Sequence, residues 1–202
     1  MLKKILSNFC LLAVSSFFVL LIPLTSSLAA EFSADLVQKM PQGTYKGKIF
    51  VKDKKFRQET NMMNRKQVMI FRRDTGVALI LMPENHMYME MSGLVGAKDA
   101  PQIDQQKLEE MAEKKYQGKE KMNGYMCEKY LFIYHDKSMG TMTQWFSKKL
   151  NFPIKMEMKR PSGNIIIEYK NIREKDMQDS LFEIPAGYQK MSIPGIMKGM
   201  GS

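Results

Sequence analysis

Met87, Met89 and Met91, on alternate positions, are the residues of this chain best placed to do chemistry. On a strand such residues project to one face about 6.8 Å apart, so three soft thioethers there could bend toward one Cu(I) or Ag(I) ion. The same spacing also suits an adaptable wall for apolar guests, and plain core packing. His86, the obvious fourth ligand, falls on the opposite face, and Cys127 is remote in sequence. His135 and Asp136 are neighbours on a strand and point to opposite faces, so they do not form a base and its orienting acid. The chain carries no nucleophile-elbow serine, His-Glu-x-x-His helix, Cys-x-x-Cys pair or glycine-rich phosphate loop. The expectation is a protein without enzymatic activity and without a cofactor.

Before these residues comes a basic start, Lys3 and Lys4, an apolar run from Phe9 to Leu24, and the small-residue site Ser27-Leu28-Ala29. That order predicts a signal peptide over residues 1–29, cleaved near Ala29/Ala30, and a periplasmic product. The run is interrupted by Ser15, Ser16 and Pro23 and falls short of the roughly 20 residues a spanning helix needs, so no transmembrane span is expected after cleavage. Cys10 lacks the context of a lipoprotein signal, and Cys127 is then the last cysteine, read as a buried, inert thiol. Without the leader, 29 basic residues face 21 acidic ones, a net charge of +8. Export argues against nucleic acid as a partner. An anionic envelope surface stays open as a partner, although the lysines are scattered as on an ordinary solvated surface.

Period-two alternation dominates the rest. Ile154, Met156 and Met158 oppose Lys155, Glu157 and Lys159, and Met87, Met89 and Met91 oppose His86, Tyr88 and Glu90. Further strands are predicted at 44–51, 55–60, 68–73, 77–82, 125–134, 141–146 and 164–170, separated by turns such as Asp74-Thr75-Gly76 and Pro161-Ser162-Gly163. Val77 to Met82 is apolar on both faces, so its second side needs a cover. A helix predicted from Asp99, Pro101 and Gln102 to Gly118, with Leu108, Met111 and Ala112 as its apolar stripe and a Glu110 to Lys114 pair worth roughly 0.3 kcal/mol, is the natural cover. The reading is one α+β domain over residues 30–190, with a flexible tail at 191–202.

Several segments together carry a resemblance. They are Phe32-Ser33-Ala34-Asp35, Gly47 to Val51 with Lys55 to Glu59, Asn123 to Tyr130, Trp145 to Lys155, and Leu181-Phe182-Glu183-Ile184-Pro185-Ala186-Gly187-Tyr188. In this order the chain resembles a family of exported bacterial proteins of unknown function, related in fold to the LolA and LolB lipoprotein carriers. The resemblance implies a strongly curved antiparallel sheet, an incomplete barrel covered by one or more helices, and non-catalytic handling of acyl chains. A related scaffold serves as an envelope-stress sensor domain, which makes a protein interaction module with a filled core the competing expectation. Its contacts would lie on the basic faces or on the tail.

The function expected is therefore a periplasmic binding protein that holds a lipid or lipoprotein acyl chain in an apolar cavity. The candidate lining is Ile70, Met87, Met89, Met91, Leu108, Met111, Met156 and Met158. Each buried methylene contributes about 0.8 kcal/mol, so one chain of ordinary length would supply roughly 10 kcal/mol of gross transfer energy. Cu(I) or Ag(I) binding through Met87, Met89 and Met91 is the third alternative.

Overall fold

The computed structural model describes residues 31–62, 65–92 and 105–191. The predicted leader, the predicted helix start at Asp99 to Gln102 and the tail from residue 192 lie outside the described residues. Twelve strands form a single sheet: β1 (Phe32–Met40), β2 (Gly43–Lys52), β3 (Lys55–Met62), β4 (Arg65–Arg72), β5 (Val77–Met82), β6 (Met87–Ser92), β7 (Ala112–Met122), β8 (Tyr125–Tyr134), β9 (Thr141–Ser147), β10 (Phe152–Arg160), β11 (Gly163–Glu174) and β12 (Gln189–Lys190). Their order is β12-β6-β5-β4-β3-β2-β1-β11-β10-β9-β8-β7, and every pair is antiparallel except β12 with β6. The two outermost strands do not pair, so the sheet stays open.

Alternation and short turns explain most of this meander. Asn123 and Gly124, with φ of 47° and 92°, join β7 to β8 as the two-residue turn whose left-handed backbone matches the sheet's twist. The apolar faces then decide how the sheet bends. Phe56 on β3 and Phe152 on β10 are four strands apart, about 19 Å in a flat sheet. Their ring centroids nevertheless lie 6.3 Å apart, and Phe152 also meets Phe32 at 5.2 Å and Tyr169 at 5.1 Å. The face bearing these rings is therefore concave. Around them a core of Leu36, Ile49, Phe132, Met142, Ile154 and Met156 is sealed from water. The β7–β8 tip reaches over to β11, where the Asn123 side chain donates to the Tyr169 carbonyl at 2.8 Å and the Tyr125 hydroxyl to Glu174 at 2.8 Å.

The α+β expectation needs correction, because the described residues are nearly all strand. Among the described residues helix α1 is Gln105–Met111, and at Ala112 the chain turns into β7. Ala112, Lys114 and Tyr116, read as the end of a helix, instead pair with Tyr134, Phe132 and Tyr130. Lys114 accordingly bonds Glu109 at 2.7 Å and not Glu110, since the i to i+4 geometry is gone. Leu108 does enter the core, at 2% exposure.

The second side of Val77 to Met82 is covered by the C-terminal segment, not by a helix. Met177 and Phe182 pack on Val68, Ile70, Leu79 and Leu81, on the face opposite the concave rings. Polar bonds fix the segment at its margins: Lys52 to the Met177 carbonyl, Arg57 to the Leu181 carbonyl, and Lys55 to Asp179. It ends as β12, whose Gln189 and the following Met191 donate backbone N–H groups to the carbonyls of His86, just before β6, and Tyr88, within it. No helix among the described residues is long and apolar enough to cross a membrane.

Candidate functional site

Pairing register sorts the side chains of β3 to β6 onto two faces. Phe32, Val51, Phe56, Phe71, Ala78 and Met91 form one row across the concave side, and Ala34, Ile49, Gln58, Met69, Ile80 and Met89 form the next. Leu36, Gly47, Thr60 and Gln67 begin a third row, which Met82 and Met87 complete. Five thioethers, Met69, Met82, Met87, Met89 and Met91, thus share the concave side of β4 to β6 around Ile80. All six are only half-buried, and neither core cluster of the described residues includes them.

The predicted lining divides accordingly. Met87, Met89 and Met91 share the concave face, as do Met156 and Met158, which pair with Ile167 and Ile165 of β11. Met156 and Leu108 are sealed in the core and Met158 is partly so. Ile70 is fully buried on the other face, because its register partners Arg57 and Leu79 point to the convex side. Met111 is 43% exposed at the end of α1. Sequence reasoning missed Met69, Ile80 and Met82. Their alternation was present, but strands apolar on both faces give no hint of which side is which.

The convex side of the other half is ionic. Trp145 lies between Lys129 and Lys155, each within 5 Å of its ring, and its indole N–H donates to Glu120 at 3.0 Å. That bond and the Lys129 ammonium hold the Glu120 carboxyl below the usual range. The tryptophan block is therefore a staple across β7 to β10. Burial pushes the Cys127 thiol up to about 11, which removes it as a nucleophile at neutral pH. Among the described residues no group of three or more His, Cys, Asp or Glu could hold a metal ion. A groove of about 380 Å³ lies on the convex side where Phe182, Glu183 and Ile184 meet Arg72, Val77, Leu79 and Glu90. Arg72 is tied there to Asp74 at 2.8 Å.

A family profile described as "Domain of unknown function (DUF4412)" matches residues 33–151 and 135–188. No curated relative matches the chain. Among solved structures, an uncharacterized conserved protein from Thermus thermophilus superposes with a TM-score of 0.59 at 9% identity, covering 82% of this chain and 91% of that one. The complex of Pseudomonas aeruginosa MucA/MucB gives a TM-score of 0.55 at 13% identity, covering 83% of this chain but only 60% of the matched chain. A LolA superfamily protein from Nitrosomonas europaea gives 0.36 at 11% identity over 77% of this chain and 90% of that one, below the range in which two folds can be equated. The first two likenesses speak to fold alone.

Proposed function

We propose that this chain, which belongs to the DUF4412 domain family, is a non-enzymatic binding protein of the cell envelope that holds a lipid or lipoprotein acyl chain against its concave face. The observation that carries this reading is the thioether wall of β4 to β6. Five methionines and Ile80 line one side of three strands, yet they belong to neither packed core of the described residues. Such a wall forms contacts with an apolar guest through many weak dispersion terms and repacks to its shape, which suits chains of variable length and unsaturation. Catalysis has no support from the site, where the side chains nearest the wall are thioethers, Ile80, Phe71 and the amides Gln58 and Gln67.

The test is to purify the mature protein from a periplasm, extract it with organic solvent and identify bound lipid by mass spectrometry. Acyl-chain lipid at about one equivalent per protein supports the reading. Repeated recovery of lipid-free protein that also fails to take up an added acyl chain overturns it.

A second reading has its own observation. Tyr116 and Met126 are 57% and 61% exposed on the outermost hairpin, β7–β8, and the outer edge of β7 has no strand partner among the described residues. An edge of this kind can accept an extended segment of a partner protein. Substituting Tyr116→Ser and Met126→Ser would abolish partner capture under this reading and leave lipid content untouched under the first.

A further inference from the structure

Arg160, on the concave side, is a cation that no carboxylate among the described residues neutralises. It is the last residue of β10, on the side shared by Met156 and Met158, beside the turn that leads into β11. Elsewhere on β10 and β11 the cations Lys155 and Lys170 pair with Glu157 and Glu168, and the adjacent Lys159 is exposed to solvent. Arg160 has no ion-pair partner among the described residues. Its Nε is shielded from solvent without a hydrogen-bond acceptor, and among the described residues its Nη2 donates to the Met158 sulfur at 3.5 Å.

A second donor nearby is served just as poorly. The Tyr134 hydroxyl, on a residue 8% exposed, donates to the Met142 sulfur at 3.9 Å. The two acceptors, Met158 and Met142, are register partners across β10 and β9, which brings the two donors to one place; burial pushes the phenol up, and the positive charge of Arg160 acts in the opposite sense. Thioethers are weak acceptors, and a guanidinium cannot escape its charge by losing a proton. Two donors that settle for sulfur in a setting of Met142, Met158 and Ile165 leave room for a strong acceptor, and a planar guanidinium matches a carboxylate or phosphate through two parallel bonds. The position also suits a head group. Pairing places Arg160 at the end of the sheet where Met40, Met82 and Met87 lie, at the rim and not in the depth of the concave side.

We propose that Arg160, with Tyr134, anchors the head of a single-chain amphiphile bearing a carboxylate or phosphate, whose tail lies along the concave face. This rests on the acyl-chain reading above and narrows its ligand to an acidic one.

The experiment measures displacement of the uncharged dye N-phenyl-1-naphthylamine from delipidated mature protein by palmitate, by palmitoyl lysophosphatidate and by hexadecanol. Wild type is expected to bind the acids at least about tenfold more tightly than the alcohol, as a charge-assisted pair implies. Arg160→Gln is expected to lose that preference while keeping its affinity for hexadecanol, and Arg160→Lys to restore part of it. Whichever acid is preferred identifies the source as a fatty acid or a phospholipid. An Arg160→Gln protein that still prefers acids, or that loses all three probes equally, overturns the anchor alone. A wild-type protein from which none of the probes displaces dye overturns the acyl-chain reading and the anchor with it.

Discussion

The curl of the sheet creates the concave face, and it can be measured through one pair of rings. Phe152 is completely buried and Phe56 is 3% exposed, and truncating either to alanine is expected to cost about 3–5 kcal/mol. For a domain of this size each kcal/mol lowers Tm by roughly 2–4 °C, so a loss near 4 kcal/mol lowers it by about 8–16 °C. The informative quantity is the coupling between the two. In a flat sheet, with the residues about 19 Å apart, their losses would add. With ring centroids 6.3 Å apart and near parallel, the double variant is expected to recover about 0.5–1.5 kcal/mol relative to the sum of the singles. Urea unfolding followed by fluorescence of Trp145, the one tryptophan, supplies all four free energies. If the alanine pair does not fold, Phe→Leu at both sites closes the same cycle. Additivity within about 0.3 kcal/mol would mean that the rings do not meet, and the concave wall argued from them would fall.

Further outcomes follow from other parts of the molecule. Replacing Met87, Met89 and Met91 by leucine conserves volume, so acyl-chain affinity should stay within about threefold, whereas a Cu(I)-dependent rise in Tm that this triple variant abolishes would replace the lipid reading by the metal one. The Cys127 thiol, raised to about 11 by burial, should not react with Ellman's reagent in the native protein at pH 8 and should react fully in denaturant; rapid labelling without denaturant would refute its burial. At Glu59 burial alone would raise the carboxyl, but Lys66 and Arg57 outweigh it and hold it below its ordinary value. A depressed carboxylate stabilises the fold above the unfolded value of about 4.3 and loses that contribution as pH falls through the folded one. Glu59→Gln should therefore lower the urea midpoint at pH 7, and its deficit should shrink as pH falls below the unfolded carboxylate value; a deficit that stays constant across that range would assign the loss to packing.

The strands were legible where one face is dry and the other charged. Val77–Met82 and Tyr125–Tyr134 fall at the predicted limits, and β10 and β11 are each longer than predicted by a few residues. β7 was misread because an edge strand buries one face at most: its sequence AEKKYQGKEKM is as charged as a solvated helix, and lysines on an edge guard against pairing with other chains. β1 was overlooked as an element although Phe32, Ala34 and Leu36 alternate with Ser33 and Asp35. The site was legible in type but not in placement. Alternation gathered Met87, Met89 and Met91 correctly onto one side, yet Ile70 belongs to the opposite side, and only register with Arg57 and Leu79 reveals it. Arg160 carried no signal, because the want of a carboxylate partner among the described residues is a property of neighbours brought together by folding.

The half-buried methionine face lies on β4 to β6 for an energetic reason. A strand must bury one dry side to be stable, and across this sheet the buried side changes. On β1 and β8 to β11 it is the concave one, with Leu36, Phe132, Met142, Met156 and Tyr169 inside and charged residues such as Lys129, Lys155 and Glu157 outside. On β4 and β5 it is the convex one, where Val68, Ile70, Leu79 and Leu81 are sealed under Met177 and Phe182. Those four residues and the segment above them supply the burial these strands need, so their concave methionines are free of any duty to fill the core. A wall that does not have to pack against its own protein can remain available to a guest without loss of fold. Methionine is the residue that such an arrangement favours: as apolar as leucine in effect, but unbranched and able to change rotamer as a chain enters or leaves. The C-terminal cover and the thioether wall are thus two sides of one arrangement, the first supplying the burial that the second, among the described residues, does not provide.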